Sequence, residues 1–237
     1  IKLYDERKQV KKAMLQTKQK FEKTGDDKLK RDINRFDNTQ QAVKILLNSL
    51  YGALGNQYFR YYDLKVAEGI TLSGQLAVRW AEENMNKFMN KILGTEKDYV
   101  IAMDTDSVYV NMGPLVKKLE PKNPVKFIDD ACVQQFQPML EKAYDAMFTK
   151  MNAFDNRMVM EREAIADKAV WTAKKRYIMN VHNNEGVQYS EPKLKIQGIE
   201  AVKSSTPMVV RNKFKQAYKI ILTSTEEELQ KFVKDFY

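Results

Sequence analysis

Asp104 and Asp106 are the residues best placed to do chemistry in this chain. They stand two apart in Asp98-Tyr-Val-Ile-Ala-Met-Asp104-Thr105-Asp106-Ser107-Val-Tyr-Val-Asn-Met112, between two apolar runs, 99–103 and 108–112. Runs of this kind bounded by turn formers predict the arms of a hairpin. Asp and Ser suit its turn because their side chains bond locally to the backbone. In an extended chain residues i and i+2 face the same side, so the two carboxylates can converge. Converging carboxylates repel, and one pKa rises, unless a cation lies between them. A hard divalent ion held by one or two carboxylates plus substrate phosphates is how magnesium serves phosphate chemistry. Taken alone, the same residues also describe a solvated acidic turn.

A second set lies on a predicted helix. With Val43 at zero and about 100° per residue, Leu46, Leu47, Leu50 and Leu54 fall within about 60° of it, an expected buried stripe. Lys44, Asn48 and Tyr51 gather between about 80° and 140°, on a separate face. A cation, an amide and a phenol on one stripe suit a triphosphate, a sugar and a base. An ordinary amphipathic helix with polar flanks gives the same pattern.

The elements that must position these groups follow from periodicity. Residues 1 to about 22 predict a helix rich in Lys, Arg and Gln, with Arg7 and Lys11 four apart and so on one face. Thr24-Gly25-Asp26-Asp27 makes a tip, and a second helix begins near Lys28. Gly69 to Leu93 predicts a long helix packed through Leu72, Leu76, Val78, Trp80, Met85, Phe88, Met89 and Ile92, with Gly94 as its C-cap. Residues 113–124 are expected to be a connection, and 126–151 a helix with Phe127, Ile128, Phe136, Met139, Leu140, Tyr144, Met147 and Phe148 in the core. Residues 157–206 alternate like short strands. A helix near Pro207 is expected, capped by Ser204 or Ser205. His182 is expected on the surface.

Composition narrows the partners. Apolar residues make up 43% and charged residues 30%, a globular balance. The net charge is 40 − 31 = +9. Residues 1–35 carry twelve Lys/Arg against six Asp/Glu, and residues 161–215 carry eleven against six. Two basic zones around a body with an acidic spot favour a polyanionic partner beside metal chemistry. The single cysteine, Cys132, excludes a disulfide framework and a cysteine zinc site within these residues. No apolar run is long enough to predict a membrane span.

Lys44-Ile-Leu-Leu-Asn48-Ser49-Leu-Tyr51-Gly52 resembles the Lys-x-x-x-Asn-Ser-x-Tyr-Gly motif of family B DNA polymerases. Its continuation, Ala53-Leu-Gly-Asn-Gln-Tyr-Phe-Arg-Tyr-Tyr-Asp63, is similar to the replicative polymerases of large tailed bacteriophages. Asp104-Thr-Asp-Ser lies where that family carries its metal-binding palm motif. Glu161-Arg-Glu163 resembles the segment placing a third carboxylate, Glu163, near the pair. Lys174-Lys175-Arg176-Tyr177 resembles the Lys-x-Tyr element that touches the minor groove and primer terminus. On one side of a strand, Lys175 reaches groove acceptors present in every base pair and Tyr177 a phosphate or sugar. Lys195-Ile-Gln-Gly198-Ile-Glu-Ala-Val-Lys203 also matches, with Lys203 a duplex contact.

The resemblance implies an α+β fold: helical-hairpin fingers over 1–60, a partial palm over 61–198 with an antiparallel sheet packed on helices, and the start of the thumb over 199–237. It implies nucleotide addition to a primer 3′-end, with two magnesium ions held by Asp104, Asp106 and Glu163. Lys44 would give a proton to the departing pyrophosphate, Arg7 and Lys11 would grip the triphosphate, and Asn48 and Tyr51 would line the base-pair pocket. The implied partners are primer-template DNA, deoxynucleoside triphosphates and a separate N-terminal polypeptide with the exonuclease and the rest of the palm. The implied place is the cytoplasm of a bacterial host, from a phage-encoded chain. Two departures stand out. The family's Asp-x-x-Ser-Leu-Tyr-Pro-type motif has no counterpart in these residues, and Met103 stands where most relatives carry Gly. A non-catalytic DNA- or nucleotide-binding fragment therefore remains the alternative.

Overall fold

The computed structural model describes residues 2–235. Among them are eight α-helices and two antiparallel sheets, an α+β fold in two compact units, Ile1–Arg162 and Glu163–Tyr237.

The first unit opens with an antiparallel helical hairpin, α1 (Lys2–Thr24) and α2 (Lys28–Leu54). Gly25 makes the turn because it accepts φ +67°, and its N–H closes α1 on the Phe21 carbonyl at 2.8 Å. Met14 on α1 and Gln40 on α2 are buried. The expected apolar stripe on α2 is only partly covered. Val43, Leu47 and Leu54 are half-buried, whereas Leu46 is 54% and Leu50 57% exposed. Periodicity identifies an apolar face but not whether something lies over it.

Helix α3 (Leu64–Leu93) starts five residues before the expected Gly69, because the Asp63 carboxylate caps it by accepting the Val66 N–H at 3.1 Å. Gly94, at φ +69°, ends it as expected. Only its later part is core. Ala77, Ala81, Met85 and Met89 are buried with Tyr99, Val100, Leu140, Tyr144 and Met147, while Leu72 is 62% exposed. Trp80 donates Nε1–H to the Ala143 carbonyl at 2.7 Å, joining α3 to α6 (Gln137–Lys150). Met89, with no exposed surface, belongs to the same core. Met89→Ala should destabilise the chain by about 2–5 kcal/mol, seen as a lower urea midpoint at an unchanged m-value.

Strands β1 (Val100–Asp104) and β2 (Ser107–Val110) form the predicted hairpin. The segment expected as a connection contains a short helix, α4 (Gly113–Leu119), with Pro114 in its first turn and Leu115 buried. Proline there costs nothing because that N–H has no helical partner, so a residue that suggested a loop starts a helix. The helix expected over 126–151 is α5 (Pro124–Ala131) and α6, joined by one π turn, Cys132–Phe136. Pro138 is the second residue after it. Its missing N–H and its ring displace the helical ladder four residues back, which the wider turn accommodates.

Cys132 sits at this π turn, and burial pushes its thiol up to about 11, an effect larger than the opposing pull of Arg162 and the added push of Asp129. Iodoacetamide should therefore alkylate the native thiol far more slowly than the unfolded one at pH 9, as mass spectrometry would measure. A raised thiol pKa contributes stability below the unfolded value near 8.5 that is lost as pH rises toward 11.

In the second unit β3 (Ala164–Ala173), β4 (Arg176–Asn184) and β5 (Val187–Gln197) form a meander. A 3-10 turn, Glu200–Val202, leads to α7 (Met208–Thr223) and α8 (Glu226–Lys234). Leu222 of α7 is buried with Ile178 and Ile199. Pro207 occupies the α7 N-cap with no side-chain cap bond, so Ser204 and Ser205 do not cap it. His182 lies within β4, half-buried, its Nε2 3.3 Å from Asp167 Oδ1, rather than in an exposed loop. Among the described residues no helix is long and apolar enough to cross a membrane.

Candidate active site

The acidic pair is held by the tightness of its hairpin. Asp104 pairs with Ser107 at the last register position, which leaves Thr105 and Asp106 as a two-residue turn. The carboxylates are therefore at the end of a strand and in its turn, not at alternate positions of one strand as expected. Asp104 Oδ1 accepts the Thr105 N–H at 2.7 Å and the Thr105 hydroxyl at 3.2 Å, which fixes its rotamer. Asp106 is exposed. Behind them, Asn86 of α3 anchors the base of the hairpin: its Oδ1 accepts the N–H groups of Tyr99 (2.8 Å) and Val100 (3.1 Å), and its Nδ2 donates to Asp98 at 2.6 Å. Nothing in the sequence distinguished Asn86 from other polar helix residues.

The residues expected to meet a nucleotide are on the helical hairpin. Arg7 is half-buried, and its Nη2 donates to Gln40 Oε1 at 3.4 Å, one helical turn before Lys44. Lys11, four residues on, is half-buried too. Lys44 is exposed, with no hydrogen-bond or ion-pair partner among the described residues. Asn48 is exposed. Tyr51 presents its ring to solvent, but its hydroxyl lies 2.6 Å from Thr71 Oγ1. Since Thr71 Oγ1 donates to the Ala67 carbonyl, Tyr51 donates to Thr71 and ties α2 to α3.

The remaining sites belong to the second unit. Glu163 accepts from Lys195 Nζ at 2.6 Å. Lys174 and Lys175 form the two-residue turn between β3 and β4, with Lys175 left-handed at φ +64°. Lys175 and Tyr177 are thus not alternate positions of one strand. Tyr177 is only 6% exposed and tilts against Trp171 at 5.9 Å, so its ring is packed rather than presented. Lys203 donates to Glu200 at 3.0 Å, and Arg176 lies 3.6 Å from the same carboxylate. Glu200's own backbone N–H, then Lys203, holds its carboxyl below the usual range.

Magnesium asks for one or two carboxylates plus phosphate oxygens and waters. A rotamer-fixed Asp104 beside an exposed Asp106 meets that requirement as a pair. Among the described residues no group of three or more His, Cys, Asp or Glu side chains is gathered to hold a metal without such added ligands.

The model of DNA polymerase family B matches residues 1–237. A DNA-directed DNA polymerase of Enterobacteria phage T4 is 40% identical over 215 residues, 84% of this chain and 24% of the relative. One from Escherichia phage RB69 is 40% identical over 198 residues, 77% of this chain and 22% of the relative. The DNA polymerase alpha catalytic subunit of Dictyostelium discoideum is 35% identical over 111 residues, 47% of this chain and 6% of the relative. The chain thus spans about a quarter or less of the length of these relatives.

Proposed function

Because this chain belongs to DNA polymerase family B, we propose that it forms the nucleotide-handling part of a template-directed DNA polymerase. On this reading it adds deoxynucleotides to a primer 3′-end together with the rest of such a polymerase, the exonuclease and the remaining palm aspartate included. The observation that carries the reading is the presence, in one compact unit, of both an exposed Lys44 on α2 that has no partner among the described residues and the fixed acidic turn at Asp104 and Asp106.

Asp104 and Asp106 would hold two magnesium ions together with triphosphate oxygens. The ions, when bound, supply charge stabilisation for the attacking and leaving oxygens. Thr105 keeps the Asp104 carboxylate from rotating, so little reorganisation is needed when phosphates arrive. Lys44, a flexible ammonium with three donors, is suited to meet the departing pyrophosphate and give it a proton. Arg7 and Lys11 add positive charge on the facing helix. Asn48 and the exposed ring of Tyr51 offer an amide and an apolar surface to the sugar and base.

Primer extension on a primed single-stranded template with magnesium and all four nucleotides tests this, with and without the polypeptide bearing the missing motif. Extension that appears only with both polypeptides is the expected result. Silence in both settings would leave a DNA- or nucleotide-binding fragment.

A further inference from the structure

We infer that Gly198 is a positioning residue for Lys175, fixing the β3–β4 turn in the shape that offers the lysine to a duplex; this rests on the reading of Lys175 as a DNA contact. Gly198 leaves β5 at φ +65°, and a methyl group there would collide with the backbone oxygen of Lys175. Among the described residues, a methyl group at no other glycine would come so close to another backbone segment. Lys175 is itself left-handed, at φ +64°, a conformation uncommon for a lysine and costly without support from its surroundings. The turn and the exit of β5 therefore meet backbone to backbone, and only glycine leaves room for that approach.

The neighbouring pairings make the contact rigid. Tyr177 pairs with Gln197, the residue before Gly198, and its ring lies against Trp171 across β3. Two residues beyond Gly198, Glu200 faces Arg176 and accepts from Lys203, so one short segment, 197–203, is internally braced and tied to the start of β4. A lysine held this way gives up less side-chain and backbone freedom on binding than one on a loose turn. That is an advantage where affinity must come from few contacts that carry no sequence information.

The test is fluorescence anisotropy of the full chain with a short labelled primer-template, far below the thermal midpoint, joined to ¹⁹F NMR of the 5-fluorotryptophan-labelled chain, in which Trp171 reports on the turn. Gly198→Ala should weaken binding roughly tenfold, as should Lys175→Ala, and Gly198→Ala should shift the Trp171 resonance. Gly186→Ala is the control: it strains a similar left-handed position, φ +86°, with open space around the methyl, and should leave binding within about twofold of wild type and the Trp171 resonance in place. In the unaltered chain without DNA the Lys175 amide should have an order parameter near about 0.85. That value needs no variant to fold, and one below about 0.6 would overturn the inference. Equal weakening by Gly186→Ala, or wild-type binding by Gly198→Ala with Lys175→Ala weak, would overturn the inference alone. Wild-type binding by Lys175→Ala would overturn the DNA-contact reading and the inference with it.

Discussion

Asp106→Asn should cost at least about a thousandfold in primer extension by the complemented chain, about 4 kcal/mol of barrier, while leaving the fold intact. The substitution preserves shape and removes one negative charge from an exposed turn position, where structural costs stay within about 0.5 kcal/mol. Asp104→Asn is the less clean experiment. Asp104 Oδ1 also accepts two bonds from Thr105, so its loss mixes a structural effect with a chemical one. Extension rates at saturating nucleotide, beside thermal midpoints of identically purified proteins, check the expectation. An Asp106→Asn chain that extends primers at the wild-type rate would remove the acidic turn from the mechanism.

Lys44→Met should lower the rate of nucleotide addition between about a hundred- and ten-thousandfold, the range for losing a positioned proton donor. Its stability should not change, because Lys44 is exposed and has no partner among the described residues. Methionine keeps the length of the stem and deletes only the ammonium. Lys44→Arg separates two contributions: it restores charge beside the triphosphate but not an exchangeable proton, since guanidinium stays protonated. Partial rescue of nucleotide KM without rescue of kcat is the expected pattern. A fall of many degrees in the thermal midpoint with activity retained would make Lys44 a structural residue instead.

Motif and period were legible in the sequence; cover and curvature were not. The helical hairpin, its glycine tip, the acidic hairpin and the Gly94 cap follow from local rules, and local bonds carry them in the structure. Leu46 and Leu50 show the limit, because an apolar stripe at the right spacing reads the same whether or not a surface lies over it. The Lys175–Tyr177 pair shows another: two residues of spacing imply one strand face only if no turn intervenes, and the turn stands at Lys174 and Lys175. Gly198 was visible within its motif, but its approach to Lys175 joins positions 23 residues apart and left no periodic trace (198 − 175 = 23). A proline misled once, starting α4 where a connection was expected, and the wider turn before Pro138 of α6 left no mark on the helical period.

The uncovered side chains at Ile45, Leu46, Leu50 and Leu72 bear on how this polypeptide behaves in a tube. At low ionic strength a net charge of +9 keeps copies apart by mutual repulsion. At about 0.15 M salt the screening length shrinks to about 8 Å, less than the width of one helix, and that repulsion no longer masks these side chains, least of all the α2 face that carries Leu46 and Leu50. Colloidal behaviour should then invert the usual salting-in: the chain would be most soluble in dilute buffer and lose solubility as salt is added, sulfate acting before chloride. Light scattering along a salt titration would show it, and a polypeptide that covers this face would abolish the trend.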